Sequence, residues 1–392
     1  MEPLGILAGS AAMILAIVAT AAIIARRSLF YQHEVATSNN RELTLDGLRG
    51  LAALMVATHH SALCRTWLAT GQWGDAHSRV LQLFGPAGVI FFFMLTGYLF
   101  WGKARAASGR MNPLKLWRGR LYRIAPLYLF SLLLVLIFAT VETSGQWLTP
   151  QNWQALARLF SLGLMSWQNI GPVSLNEYNA GVVWTLNYEW YFYLTLPFVA
   201  WLIVGRIIFG INLTVYALIL AGFWLDFQLS PGLFLIVGML CSELLASQSL
   251  RATLQGSLAA VTALLTSAML AAVCQDDLGA VIPTDSLGLV CLPIFAVAAA
   301  GNSFFSILTH PAIRCLGAIS FSLYLLHGIA FKLVAHSLKT AGLTNLSSFE
   351  CWLMLIAAAC ATTGMCALTY RWIEFPFLSK SHKKAAPEKP SN

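Results

Sequence analysis

The strongest constraint on this chain is a succession of apolar runs, most of them long enough to cross a bilayer, that leaves little sequence for anything else. Of its 392 residues 58% are hydrophobic and only 10% charged, against about 25% charged in soluble domains. The chain therefore reads as an all-α polytopic membrane helix bundle. Runs near 4–25, 46–64, 83–101, 124–141, 182–204, 207–225, 230–247, 255–274, 286–303, 316–338 and 350–372 predict about eleven transmembrane helices, roughly ten forming a core and one added at the N-terminus. The longest polar stretches, 26–45, 102–123, 142–181 and the tail after 377, are too short for a separate soluble domain. The stretch 26–45 reads as a polar connector, and residues 379–392 as a disordered tail.

The net charge of +8 has a topological cause. With the loop after the first run in the cytoplasm, Arg26, Arg27, Arg41, Arg49, the basic run from Lys103 to Arg123, Arg206, Arg251, Arg314, Arg371 and the tail lysines fall inside. Only Arg65, Arg79, Arg158, Lys332 and Lys339 fall outside. This positive-inside asymmetry predicts an outer N-terminus and a cytoplasmic C-terminus, and it accounts for the excess charge without nucleic acid. Eight cysteines without a CxxC, and no HExxH, read as small packing residues and not as disulfides or a metal site.

Polar residues inside the spans carry the functional signal, because charge in hydrocarbon costs about 2.5–3.5 kcal/mol per residue on insertion scales. Leu45–His60 is an apolar helix that holds Asp46, Arg49, His59 and His60. Arg49 and His60 are about 20° apart around the helix and roughly 16 Å apart along it, so they define one polar stripe reaching mid-membrane. Asp46, at the expected helix start, suits the positive dipole end and can pair with Arg49 three residues on. His59 is turned about 100° away and is the weaker candidate. A membrane histidine can also simply be bonded to a neighbouring helix.

Further along, Thr96 can donate across an interface, while Gly97 reads as a packing residue. Arg120 and Arg123 share a helix face before the fourth run. They either snorkel to anionic lipid or clamp phosphate through their guanidinium forks. Residues 142–181 mix amides with tryptophans, a surface able to stack on sugars or to sit as an interfacial belt. Glu189 lies inside a span, where it must be protonated, paired or in a wet cavity, and a pairing with His60 is geometrically plausible. Ser320, Tyr324 and His327 fall on one stripe of one helix.

Taken in order, these segments resemble the acyltransferase 3 family of bacterial integral-membrane O-acyltransferases over roughly residues 43–378, after an N-terminal anchor and connector (1–42). The resemblance rests on Leu45-Asp46-Gly47-Leu48-Arg49-Gly50 with His60, Phe91–Tyr98, Arg120-x-x-Arg123-Ile124-x-Pro126, Trp184-Thr185-Leu186-x-x-Glu189, Ser320-x-Ser322-x-Tyr324-x-x-His327 and Tyr370–Phe377. Two departures stand out: Thr96 replaces the usual serine, and an extra span precedes the family pattern. No esterase-like domain is expected after residue 380.

The resemblance implies an enzyme of the inner membrane. It would move an acyl group, acetyl in the usual case, from cytosolic acyl-CoA to a hydroxyl of an envelope glycan such as lipopolysaccharide O-antigen or exopolysaccharide. The expected partners are acyl-CoA, the glycan or a lipid-linked saccharide, and membrane lipid. Acyl-CoA is a substrate here, and no bound cofactor or metal is expected. Arg120, Arg123 and Arg49 would meet the donor. His60 would act as general base or covalent acyl carrier, with Glu189 orienting it. Thr96 and Tyr324 would donate to the oxyanion, with Asp46 and His327 as secondary members. The rival class is a proton-coupled exporter of a lipid-linked saccharide, which aligned Arg, Glu and His would also suit. A structural membrane anchor would leave these polar residues replaceable.

Overall fold

The computed structural model describes residues 3–36, 40–70, 76, 78–146, 149, 152–165, 178–204, 231–276, 284–342 and 346–383. Among the described residues there are helices and connecting turns but no strand. In chain order these are α1 (Pro3–Arg27), α2 (Leu29–Ala36), α3 (Asn40–Thr70), α4 (Arg79–Ala106) and α5 (Pro113–Thr143). Then follow α6 (Trp153–Leu159), α7 (Trp184–Ile203), α8 (Gly232–Leu244), α9 (Gln248–Leu254), α10 (Ser257–Asp276) and α11 (Thr284–Ala299). The chain closes with α12 (Pro311–Ala318), α13 (Ser320–Thr340), α14 (Ser348–Thr369), a π-helical turn (Tyr370–Glu374) and α15 (Phe375–Lys383).

Each expected apolar run falls on a helix, except 207–225, which lies outside the described residues, as do Trp147, Gln151, Trp167, Gln168 and Asn169 of the tryptophan- and amide-rich stretch 142–181. Among the described residues five helices are long and apolar enough to cross a membrane: α1, α4, α5, α13 and α14 with its continuation. The pair α8–α9, bent by 108°, makes a sixth if it is one broken span. Helix α3 has the length, with 31 residues, but its polar stripe lowers its hydropathy. On α5, Leu129, Leu133, Ile137 and Val141 recur every fourth residue and are all exposed. Such an unpartnered apolar stripe is what a helix presents to lipid.

Helix α3 sits at the centre, packed on α4, α12 and α13. Its glycines explain how closely. A Cβ on Gly47 would lie 1.9 Å from Leu308 O, one on Gly50 2.2 Å from Ile313 O, and one on Gly317 2.0 Å from Asp46 O. The α4–α8 crossing is equally tight, with a Gly97 Cβ 1.9 Å from Leu235 O and a Gly238 Cβ 2.1 Å from Met94 O. Gly97 is a packing residue, as its sequence context suggested.

Three expectations need correction. Helix α3 begins at Asn40, so Asp46 lies well inside it and no longer faces the dipole end; no breaker separates residues 40–45 from the apolar run, and Leu45 is buried. The connector 26–45 is largely helical, because Tyr31 buries its ring and donates to Ala367 O at 2.7 Å, docking α2 on the bundle. The end at Tyr370–Phe377 is not a stop. Pro376 occupies the first turn of α15, where its missing N–H costs nothing, and the helix continues to Lys383, into the stretch expected to be disordered. Helix α1 packs on α12 and α14.

Candidate active site

Most of the singled-out polar residues converge on one cavity of about 490 Å3. Helix α3 supplies Asp46 and Arg49, α4 Thr96, α5 Arg120 and Arg123, α7 Glu189, and α13 Tyr324. Arg314 from α12 and Lys103 from α4 add to its basic character. A smaller cavity of about 230 Å3 holds His59 and His60 with Pro86, Ala180, Trp184 and Phe234. Val89 and Tyr324 line both. Arg49 and His60, read from the sequence as one stripe, thus open into two adjoining chambers divided by these two side chains.

His60 meets a partner that sequence spacing did not reveal. Its Nδ1 lies 3.1 Å from Val56 O and 2.9 Å from His327 Nε2, and His327 Nδ1 lies 2.7 Å from Leu323 O. A carbonyl only accepts, so both Nδ1 atoms are assigned the proton, and His327 Nε2 accepts from His60. Among the described residues this tautomer leaves the lone pair of His60 Nε2 without a hydrogen bond. His59 is structural: its Nδ1 donates to Leu81 O at 2.8 Å, and the ring packs where a Gly85 Cβ would collide with it.

The expected Glu189–His60 pair does not form. Glu189 lines the basic cavity and accepts from Tyr193 Oη at 2.8 Å, whereas His60 lines only the smaller one. A residue one helical turn along α7 reaches the carboxylate first, and the Tyr324 ring stands between the chambers. Tyr324 itself is poorly placed as an oxyanion donor: its hydroxyl donates to Val182 O at 3.0 Å and sits 3.0 Å from Thr185 Oγ1. Thr96 faces the basic cavity. So does Ser320, whose buried Oγ has no hydrogen-bond partner among the described residues.

The two clamp arginines diverge. Arg123 forms an ion pair of 2.8 Å with Glu374, which is fully buried and also accepts from Ser322 Oγ. Arg123 is thereby committed to joining α5 to the π turn, although it lines the cavity, and this weakens its reading as a phosphate ligand. Arg120 is held differently. Its guanidinium stacks over the rings of Phe100 (4.7 Å) and Tyr193 (5.4 Å), and its buried Nε has no hydrogen-bond partner among the described residues. Such a cation is oriented but still able to bond a ligand. Asp46 holds Arg49 at 3.3 Å, as the i, i+3 spacing suggested.

Glu374 and Tyr193 are the site residues that sequence reasoning missed. Glu374 stood in the closing motif with no visible partner, since Arg123 is 251 positions away. Tyr193 could have been found from its spacing of four residues after Glu189.

An all-helical membrane bundle with a basic chamber, a histidine-bearing chamber and a shared wall is the framework of a membrane transferase or channel-like carrier. Sequence comparison decides between them: the acyltransferase domain of the acyltransferase 3 family matches residues 42–371, and the chain belongs to that family. Comparisons with curated proteins and with solved structures find no match.

Proposed function

We propose that this membrane acyltransferase moves an acetyl group from cytosolic acetyl-CoA to a hydroxyl of an envelope glycan. The basic chamber faces the cytoplasm in this reading, with the C-terminus inside and the N-terminus outside the inner membrane. The donor's phosphates meet Arg120, with Arg49 and Arg314 lining the same chamber. The thioester passes Val89 and Tyr324 toward His60, and the acceptor hydroxyl enters the smaller chamber. The observation that carries this reading is the His60–His327 contact, which reserves His60 Nε2 for chemistry.

In the direct route, Nε2 takes the hydroxyl proton as the oxygen attacks the acyl carbon. The C–O bond forms, the C–S bond breaks, and the proton passes to the departing thiolate. In the covalent route Nε2 attacks the acyl carbon and the C–S bond breaks to release the thiolate; the acceptor oxygen then attacks that carbon, the C–N bond breaks, and the hydroxyl proton passes to the thiolate. Incubation with labelled acyl-CoA and no acceptor separates them: stable label on His60 supports the covalent route, and its absence the direct one. The function itself is tested in cells lacking the protein, complemented with wild type or His60→Ala, by measuring ester-linked acyl groups on the surface glycan. Loss of ester with glycan retained is expected, whereas loss of the glycan itself would favour a saccharide exporter.

A further inference from the structure

Helices α12 and α13 meet at Ile319, and their junction forms part of the wall of the basic chamber: Gly317, Ala318, Ser320 and Phe321 all line it. A Gly317 Cβ would stand 2.0 Å from Asp46 O, so the junction is pressed onto the turn of α3 that carries the Asp46–Arg49 pair. Ile319, with φ −90° and ψ 8°, ends α12 and precedes α13 without capping it by a side chain. A 21-residue helix therefore begins in this wall, its first N–H groups short of intrahelical acceptors and its dipole adding partial positive charge. Ser320 is its first residue. That side chain is only 1% exposed, and its Oγ has no hydrogen-bond partner among the described residues. Ser322, two positions on, donates to Glu374, and Thr362 and Thr363 on α14 donate to carbonyls four residues back. Ser320 has no preceding turn of its own helix to bond. A buried hydroxyl without a partner in a cavity wall marks a place for an acceptor on a ligand.

We propose that the α12–α13 junction is a phosphate subsite of this chamber, in which Ser320 Oγ and the first N–H groups of α13 bond the oxygens of one donor phosphate. The proposal rests on the acyl-CoA reading above. Helix starts take phosphate through N–H groups and dipole together, and a serine hydroxyl adds one more donor. Three carboxylates share the chamber with five cations, Arg49, Lys103, Arg120, Arg123 and Arg314. Those carboxylates are bonded elsewhere: Asp46 to Arg49, Glu189 to Tyr193 and Glu34 to Tyr370. The cations outnumber them and draw an anion in, while the junction supplies directed donors that fix where one phosphate sits.

The test is titration of acetyl-CoA and of CoA against the full-length protein in nanodiscs, with the unfolding midpoint measured on the same samples. Wild type is compared with Ser320→Ala and Ser320→Asp. Ser320→Ala is expected to weaken both ligands equally, by about tenfold, the scale of one hydrogen bond to a charged group. Ser320→Asp puts a carboxylate where it suits the helix dipole but repels an anion, so affinity should fall further while the midpoint holds or rises. Ser320→Ala loses no hydrogen bond to a described residue, so it decides the matter even if Ser320→Asp does not fold. Weaker binding of acetyl-CoA alone would place the acyl group at Ser320 and overturn the phosphate subsite. Equal affinity of wild type and Ser320→Ala for both ligands overturns it too, and in either case the donor reading stands. Binding of neither ligand by wild type removes both.

Discussion

His327 Nε2 lies 2.9 Å from His60 Nδ1 across the α3–α13 interface, and His327 Nδ1 is itself held by Leu323 O at 2.7 Å. The chain of contacts fixes one tautomer of His60, a residue that lines the smaller chamber. The first prediction is a graded loss. His60→Ala should lower glycan O-acylation by about 10²–10⁴-fold, the usual worth of a positioned base. His327→Leu should lower it by about 10–100-fold, the scale on which an orienting partner acts on a functional histidine. His327→Gln retains an amide oxygen able to accept from His60 Nδ1 and should recover part of that loss. If Leu and Gln behave alike at equal protein levels, His327 is only packing.

The Arg123–Glu374 ion pair should be a stability element more than a ligand site. Glu374 has no exposed side-chain surface, and a second bond comes to it from Ser322. Breaking a buried pair by removing one partner costs about 3–5 kcal/mol. Glu374→Gln and Arg123→Met should each lower the unfolding midpoint in detergent. The double variant should be destabilised by clearly less than the sum, because the orphaned charge is gone. Additive losses would show that the two side chains do not depend on one another.

What could be read from the sequence follows from what is local. The Asp46–Arg49 pair comes from helical periodicity and holds in the structure, whereas Arg49 and His60, one stripe by the same periodicity, open into two different chambers. Partners on different helices follow from crossing geometry, which periodicity does not encode. Spacing thus makes a Glu189–His60 pair plausible, whereas Tyr193, one turn away on α7, takes the carboxylate. The pairing of His60 with His327 spans 267 positions. Helix ends were misplaced where no breaker marks them: nothing in Asn40–Leu45 resists helix, and Pro376 reads as a terminator although a first-turn proline is tolerated. The docking of α2 is not legible locally, because Tyr31 and Phe30 gain their contacts from α14 and α15, distant in sequence.

The glycine crossings give a sharp contrast. A Cβ at Gly97 or Gly317 would stand 1.9 or 2.0 Å from a backbone carbonyl oxygen, a neighbour that cannot rotate away. Gly97→Ala and Gly317→Ala should therefore abolish the monodisperse folded fraction on size-exclusion chromatography. Gly5 and Gly364 have nothing within 4 Å of the same position. Alanine there should leave folding unchanged, or improve it slightly through helix propensity. Equal behaviour of all four variants would mean that the close approaches of α3 to α12 and of α4 to α8 are not what holds the bundle.

Arg120 offers the most direct check on the basic chamber. Its guanidinium lies against both Phe100 and Tyr193, whose own ring centroids are 5.1 Å apart, so the cation is oriented before any ligand arrives. Lysine can restore the charge but neither the planar stacking nor the forked donor geometry. In nanodisc titrations Arg120→Ala should weaken acetyl-CoA binding by about tenfold or more, the scale of a charge-assisted bond at about 1.5–3 kcal/mol. Arg120→Lys should recover only part of it. Full recovery by lysine would reduce Arg120 to a diffuse positive charge, and an unchanged affinity in the alanine variant would move the donor site elsewhere in the cavity.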